Sequence, residues 1–357
     1  MRIFVTGAAG LIGGELVSRL LDNGHSVLGM VRSNRDIRSN AGQLLSAMPF
    51  NSDLPAKGAL QTIQGDISNQ WFGMERTSQQ YLAGNIDMVI HCAAMTSFDA
   101  DPAVQDAINV QGTRNALDLF PATPFLHVST AYTCGLQNGA VREAQHGPET
   151  KFMNGYEKSK ARAEALVMER SSNYAIARPS IVVGEHETGQ IKSFDTIYTV
   201  FRLIAEGRIS AIPANVEASL DFVPIDHVVG GLVDIVNHWD EAAGKVFHLS
   251  SGNPVPPTML VDAIDSFDQL SKPVLVPNER FSAEKLPPRE RRLYKMTASH
   301  YASYFARKPN FDTNNLSELS GRTCPAIDQF TLQRMIKFCI DAGFLGVRKS
   351  LDQRTSG

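Results

Sequence analysis

A tyrosine and a lysine four residues apart, in Tyr156-Glu157-Lys158-Ser159-Lys160, act together if the segment is helical, because a helix brings positions i and i+4 onto one face. A phenol titrates near ~10 and exchanges protons poorly at neutral pH. An ammonium beside it favours the phenolate and lowers that value, which fits the phenol to pass a proton to or from a substrate oxygen. Alone, such a pair is commonplace surface decoration. Upstream, however, Val128-Ser129-Thr130-Ala131-Tyr132 ends an apolar run in a hydroxyl cluster. A Ser or Thr there can donate to a carbonyl on which negative charge develops. Thr130, Ser129, Tyr156 and Lys160 are therefore the candidate catalytic set.

Such a set needs a reactant brought to it, and the start of the chain supplies a cradle. Arg2-Ile3-Phe4-Val5-Thr6 reads as a strand that runs into Gly7-Ala8-Ala9-Gly10-Leu11-Ile12-Gly13 and then a helix. Gly7 allows a sharp turn, Gly10 allows backbone N–H groups to approach a pyrophosphate at the helix N-terminus, and Gly13 allows tight packing on the strand. The spacing is Gly-x-x-Gly-x-x-Gly rather than the usual dinucleotide fingerprint, but its place between strand and helix points to a dinucleotide. At the end of the second strand, Met30-Val31-Arg32-Ser33 carries no acid to hold a ribose 2′-hydroxyl. Arg32 instead offers a planar cation matched to a 2′-phosphate, so NADP(H) is the expected cofactor. Asp66, in Gly65-Asp66-Ile67 after the third strand, can accept from the adenine amino group.

The elements that position these residues alternate strand and helix over about the first 180 residues, as in a parallel sheet flanked by helices. Strands are expected at Ile3–Thr6, Ser26–Val31, Leu60–Ile63, Met88–His91, Phe125–Ser129 and Tyr174–Arg178. Helices are expected from Leu11 to the Asn23-Gly24 stop, over Val104–Phe120 and over about Gly155–Arg170, the last carrying Tyr156 and Lys160. Residues 32–58, polar and rich in Ser, Asn and Gly, read as a long surface connection. Beyond Pro179 the rhythm changes. Helices are expected at about Thr196–Glu206, Asp226–Trp239, Met259–Leu270 and Asp328–Gly343, with a last strand at Lys245–Ser250, and residues 271–325 read as irregular.

Length and composition set the bounds. With 357 residues, 43% hydrophobic and 20% charged, the chain builds a large globular core, and length suggests about two units. A formal charge of -3 gives no reason to expect nucleic acid or an anionic membrane as partner. The basic residues Arg289, Arg291, Arg292 and Lys295 read as a solvated face. The four cysteines, Cys92, Cys134, Cys324 and Cys339, form no CxxC pair, so no metal site is expected. His91, His127 and His227 read as core or turn histidines and Asp226 as a helix cap. Phe194, Tyr198, Phe201, Tyr301, Tyr304 and Phe305 read as core first and as walls of an acyl channel second. No apolar run reaches the ~20 residues of a membrane span. With no leader pattern ahead of the first strand, a reducing cytoplasm is the expected compartment.

The Gly7-Gly10-Gly13 turn, Asp66, His91-Cys92-Ala93-Ala94, Asn109 within Asn-Val-Gln-Gly-Thr, and Tyr156 with Lys160 together resemble the extended short-chain dehydrogenase/reductases. That resemblance implies an α/β fold, a Rossmann-type doubly wound parallel sheet with a smaller C-terminal substrate lobe. Residues 1–184 with about 222–252 would bind the dinucleotide, and residues 185–221 with 253–357 would form the lobe. It further implies that Thr6, Leu11, Ile12 and Ile67 belong to the cofactor site, that Ala93 and Ala94 line the nucleotide and that Asn109 steadies the inner network. Pro179, Ser180 and Ile181 would approach the nicotinamide, Lys160 would also reach its ribose, and Gly135 would mark Thr130 as the hydroxyl donor with Ser129 beside it.

A narrower resemblance concerns substrate. Val-Ser-Thr-Ala-Tyr at 128–132, Arg178-Pro179-Ser180-Ile181-Val182-Val183-Gly184, Thr188-Gly189, Phe222-Val223-Pro224-Ile225-Asp226 and Phe311-Asp312-Thr313-Asn314-Asn315-Leu316 are similar to the thioester reductase and fatty acyl-CoA reductase branch. It implies NADPH-dependent reduction of an acyl group held as a thioester on coenzyme A or an acyl carrier protein, to aldehyde or alcohol, and leaves room for a homodimer. Two other readings stay open. One is an NADP-dependent dehydrogenase, reductase or epimerase of a small carbonyl, sugar-nucleotide or steroid-like substrate. The other is a non-catalytic NADP-sensing protein.

Overall fold

Alternation along the first strand decides the architecture. In β1 (Arg2–Thr6) Ile3 and Val5 face one buried cluster while Phe4 faces another, as a strand covered on both sides requires. The computed structural model describes residues 1–33, 36–51, 55–195 and 197–346. It places β1 in a parallel sheet with β2 (Ser26–Val31), β3 (Ala47–Pro49), β4 (Leu60–Gln64), β5 (Met88–His91), β6 (Phe125–Val128), β7 (Tyr174–Pro179) and β8 (Val246–Leu249). The eight strands lie in the order β8-β7-β6-β5-β1-β2-β4-β3. This is the expected doubly wound Rossmann-type α/β sheet, whose strand order reverses between β1 and β5.

Helices cover both faces. On one, α1 (Leu11–Asp22) and the helix Ile225–Asn237 pack Leu16, Val17 and Leu20 with Val228, Leu232 and Ile235. On the other, Phe120 and Phe125 join Leu166 and Val167 of the helix Gly155–Arg170. The expected helix over 104–120 is one rod of three pieces, Pro102–Gln105, the π-wound Asp106–Gln111 and Gly112–Leu119. A third buried cluster holds Tyr132, Tyr198, Ile204, Phe305, Leu332 and Ile336, largely from the second half of the chain.

Several local expectations are corrected. The polar connection after β2 contains β3, a three-residue strand too short to show a period, at the outer edge of the sheet. The helix Arg76–Asn85 was hidden by its polarity, with only Leu82 buried. Residues 271–325 are not irregular. They hold the strand Val274–Pro277, the helix Pro288–Met296, the 3-10 turns Ala298–Phe305, the strand Pro309–Phe311 and the helix Asn314–Ser320. Each is short and two begin at proline, so no periodicity accumulates. Asp226 lies within the first turn of its helix, after the cap at Pro224, and accepts from the His186 amide at 3.1 Å. The helix expected from Thr196 runs over Ile197–Ala205; Thr196 itself, and residues 347–357 assigned to the lobe, lie outside the described residues.

Candidate active site

Strand ends and one helix build the site. β1 ends at Thr6, and Gly7 follows with φ +67°, a left-handed conformation that costs glycine nothing. A Cβ on Gly7 would meet the Ala93 nitrogen at 2.8 Å, and one on Gly13 would meet the Gly7 carbonyl oxygen at 2.2 Å. Both glycines are therefore demanded by packing. Gly10 caps α1 with no side chain bonded to the helix N-terminus and no acid in the first turn. The first amides of α1 therefore remain able to take an anion.

From this turn a cleft of about 640 Å³ runs across the strand ends. Its walls include Gly7, Gly10, Leu11, Ile12, Gly13, Arg32, Asp66, Ile67, Ala93 and Ala94 at one end, and Ser129, Thr130, Tyr156, Pro179, Ser180 and Ile181 at the other. Three of the sequence candidates, Thr6, Asn109 and Lys160, are buried behind the wall. The Thr6 hydroxyl accepts from the Ala93 amide at 3.2 Å and meets His91 Nδ1 at 2.9 Å. The Asn109 side chain accepts from the Met95 amide at 2.7 Å and donates to the Ser159 hydroxyl at 2.8 Å, tying the cleft wall to the helix of Tyr156. Arg32 is exposed at the cleft edge. Asp66 accepts from the amide and hydroxyl of Ser68, which with nearby Arg32 holds its carboxyl below the ordinary range, so it is a turn-forming residue as well as a wall.

At the chemical end, Asn154 caps the helix Gly155–Arg170 by accepting from the Glu157 amide at 2.8 Å. Tyr156 opens partly onto the cleft, with its hydroxyl enclosed near the Thr130 side chain. Burial pushes this phenol up to about 12, opposed by the nearby Thr130 hydroxyl, with Glu157 raising it further. The expected lowering by Lys160 is absent, for a geometric reason. Lys160 donates to the Val128 carbonyl at 2.8 Å and meets His127 Nε2 at 3.3 Å, so its ammonium is anchored at the end of β6. Burial pushes that ammonium down to about 8. His127 and His91 stack beneath it at 5.6 Å, both held neutral by burial and by the lysine charge, as core histidines. The Ser129 hydroxyl is buried at the cleft with no hydrogen-bond partner among the described residues. An orphaned donor at a glycine-lined cleft fits a site completed by a polar ligand.

Of the other residues of the site, only Tyr301 and Tyr304 stand out in the sequence, as core first and channel wall second. Met95, Phe98, Asp195, Ile197, Tyr301 and Tyr304 also line the cleft. Asp221, fully buried, accepts from the Ser180 hydroxyl at 2.5 Å and from the Ser251 amide at 2.8 Å, and so fixes Ser180 in the wall. Arg307 donates to Glu157 at 2.8 Å and to the Gly135 carbonyl at 2.7 Å, with its guanidinium 5.0 Å from the Tyr132 ring and 5.6 Å from the Tyr304 ring. A second buried pair, Arg178 with Glu164 at 2.6 Å, holds the same helix from β7. Among the described residues, no cluster of His, Cys, Asp and Glu could hold a metal ion, and no helix is long and apolar enough to cross a membrane.

Comparison with known proteins bears on the family and the fold. A family model described as Male sterility protein matches residues 5–232. The isonitrile lipopeptide synthase of Streptomyces coeruleorubidus is 24% identical over 376 residues, covering 96% of this chain and 25% of its own length. Human fatty acyl-CoA reductase 2 is 24% identical over 334 residues, covering 79% of this chain and 64% of its own. The chain thus spans less than two thirds of either relative. Among solved structures, the terminal R domain from the myxalamid PKS-NRPS biosynthetic pathway superposes with a TM-score of 0.81 at 24% identity, covering 97% of this chain and 92% of that one, which shows the shared fold.

Proposed function

The chain belongs to the Male sterility protein family, and from that premise we propose that it is a reductase of thioester-activated acyl groups, carried on coenzyme A or an acyl carrier protein, with NADPH as hydride donor and aldehyde or alcohol as product. One observation carries the reading. A single cleft joins the glycine turn at the head of α1 to the Ser129, Thr130 and Tyr156 side chains. The relatives named above, a lipopeptide synthase and a fatty acyl-CoA reductase, support the substrate class.

In this reading the amides of Leu11, Ile12 and Gly13 hold the pyrophosphate, Arg32 faces the 2′-phosphate, and Asp66 and Ile67 border the adenine. Ala93, Ala94, Pro179, Ser180 and Ile181 form the walls that lead the nicotinamide to the hydroxyls. When bound, NADPH supplies the hydride. Thr130 and Ser129 donate to the thioester oxygen as it gains negative charge, and the tetrahedral adduct then collapses with cleavage of the C–S bond, leaving aldehyde and a thiolate that takes its proton from water. In a second reduction Tyr156 gives its proton to the alkoxide that becomes the alcohol. Lys160 acts from behind, fixing the Val128 end of β6 from which Ser129 and Thr130 project.

Acyl-CoA thioesters, aldehydes and ketones assayed with NADPH and with NADH test the proposal. Thiol release coupled to NADPH oxidation is expected. Turnover of ketones or sugar nucleotides without thiol release would contradict it.

A further inference from the structure

The glycine turn at the head of the cleft is held from outside by a residue of the second half of the chain. Lys192 lies between the strand Ile181–Val183 and the helix Ile197–Ala205. Its ammonium donates to the Gly10 carbonyl at 2.7 Å, to the Arg38 carbonyl at 3.1 Å and to the Ala9 carbonyl at 3.4 Å. Ala9 and Gly10 are themselves walls of the cleft. Gly14 makes room for this contact, since a Cβ there would meet the Arg38 carbonyl oxygen at 2.2 Å and the Lys192 nitrogen at 2.6 Å. Asn40, almost wholly buried, fixes the approach. It accepts from the Lys192 amide at 3.0 Å and donates to the Gln190 carbonyl at 2.9 Å.

An ammonium has three N–H donors, and three carbonyls take them all. These partners are neutral, so the charge is left without an ion pair among the described residues. Burial holds the ammonium below its ordinary value, while Glu15 and Asp195 act to raise it. Glu15 is already engaged, by Arg19 at 2.8 Å and by the Asn40 amide at 2.7 Å, and Asp195 is exposed at the cleft edge. The position also opposes the helix, because Gly10 caps α1 and a cation at a helix N-terminus is disfavoured by the dipole. An anion at the first amides of α1 reverses that balance. We propose that Lys192 is a positioning residue for the dinucleotide, fixing the glycine turn through Ala9 and Gly10 and supplying the positive charge that the diphosphate meets there. The inference rests on the dinucleotide reading of the cleft and deepens it. Affinity for the diphosphate is assigned to Lys192, apart from the 2′-phosphate at Arg32.

The test is calorimetric titration of NADPH, NADH and adenosine 2′-monophosphate into wild type and Lys192→Gln, at low and at high salt. Glutamine keeps a donor for the carbonyls and removes the charge. The variant is expected to bind NADPH and NADH more weakly by the same factor, about tenfold at low salt and less at high salt. Adenosine 2′-monophosphate, which has no diphosphate, is expected to bind both proteins equally. Lys192→Met is the second neutral variant, used if the first fails to fold, with adenosine 2′-monophosphate binding as the folding control. Unchanged NADPH affinity in the neutral variant, a loss that salt does not reduce, or an equal loss for adenosine 2′-monophosphate overturns the assignment and leaves the reductase reading intact. A wild type that binds neither dinucleotide overturns both.

Discussion

The two walls of the cleft are made in different ways. One is made by strand ends and the turn that follows β1, where Gly7, Gly13, Ser129 and Thr130 sit in backbone positions dictated by the sheet. The other is made by Asp195, Ile197, Tyr301 and Tyr304, carried on short elements whose places depend on distant packing. Arg307 ties this second wall to the helix of Tyr156 through Glu157, both charges being almost wholly buried. A scaffold set by the sheet suits a common cofactor, and a wall set by tertiary contacts can change with the substrate.

The largest expected effect breaks the tie between the walls. Arg307→Met leaves Glu157 buried without its partner, so about 3–5 kcal/mol of stability is lost in urea unfolding. Adding Glu157→Gln to that variant recovers part of the loss. If the loss is below 1 kcal/mol, the second wall is not held by this pair. Next, Thr130→Val removes a donor from the first wall and should cost about 3 kcal/mol of barrier, on the order of a hundredfold in kcat, with NADPH affinity unchanged by fluorescence titration. A change confined to KM would move Thr130 out of the reacting centre.

Lys160 gives a smaller, pH-dependent effect within the first wall. Burial holds its folded value at about 8 against an ordinary 10.5. Between these values only the unfolded chain binds the proton, so the lysine's contribution makes stability rise with pH across that window, by up to about 3 kcal/mol. Chemical denaturation of wild type and Lys160→Met at several pH values between 7.5 and 10.5 should show that rise as the difference between them. A difference that is constant with pH would mean the ammonium is not desolvated. Smallest of all, Arg32→Ser should reduce the preference for NADPH over NADH by about tenfold, about 1.4 kcal/mol, since Arg32 is exposed and screened. Unchanged preference would assign 2′-phosphate recognition to another residue.

The same contrast explains what could be read before the structure. The turn between β1 and α1, the strand ends at Ser129 and Arg32, and the helix of Tyr156 and Lys160 announce themselves because each depends on a local pattern, a glycine spacing or a helical period. Arg307 sits in Ala306-Arg307-Lys308, which carries no sign that its guanidinium is buried between Glu157, Tyr132 and Tyr304. Tyr301 and Tyr304 read as core first and channel wall second, and they border the cleft from within the third cluster. The orientation of Lys160 toward Val128 rather than the phenol was equally invisible, since four-residue spacing sets the face of a helix but not where a long side chain ends.

The central claim is that the Tyr156 hydroxyl, near Thr130 at the end of a dinucleotide cleft, is the proton donor of an NADPH-dependent reduction. Single-turnover reduction of an aliphatic aldehyde by Tyr156→Phe, with NADPH binding titrated on the same sample, tests it most directly. Retained NADPH affinity with a hundredfold or greater fall in the rate of alcohol formation is the predicted result. A rate within a few-fold of wild type would contradict it.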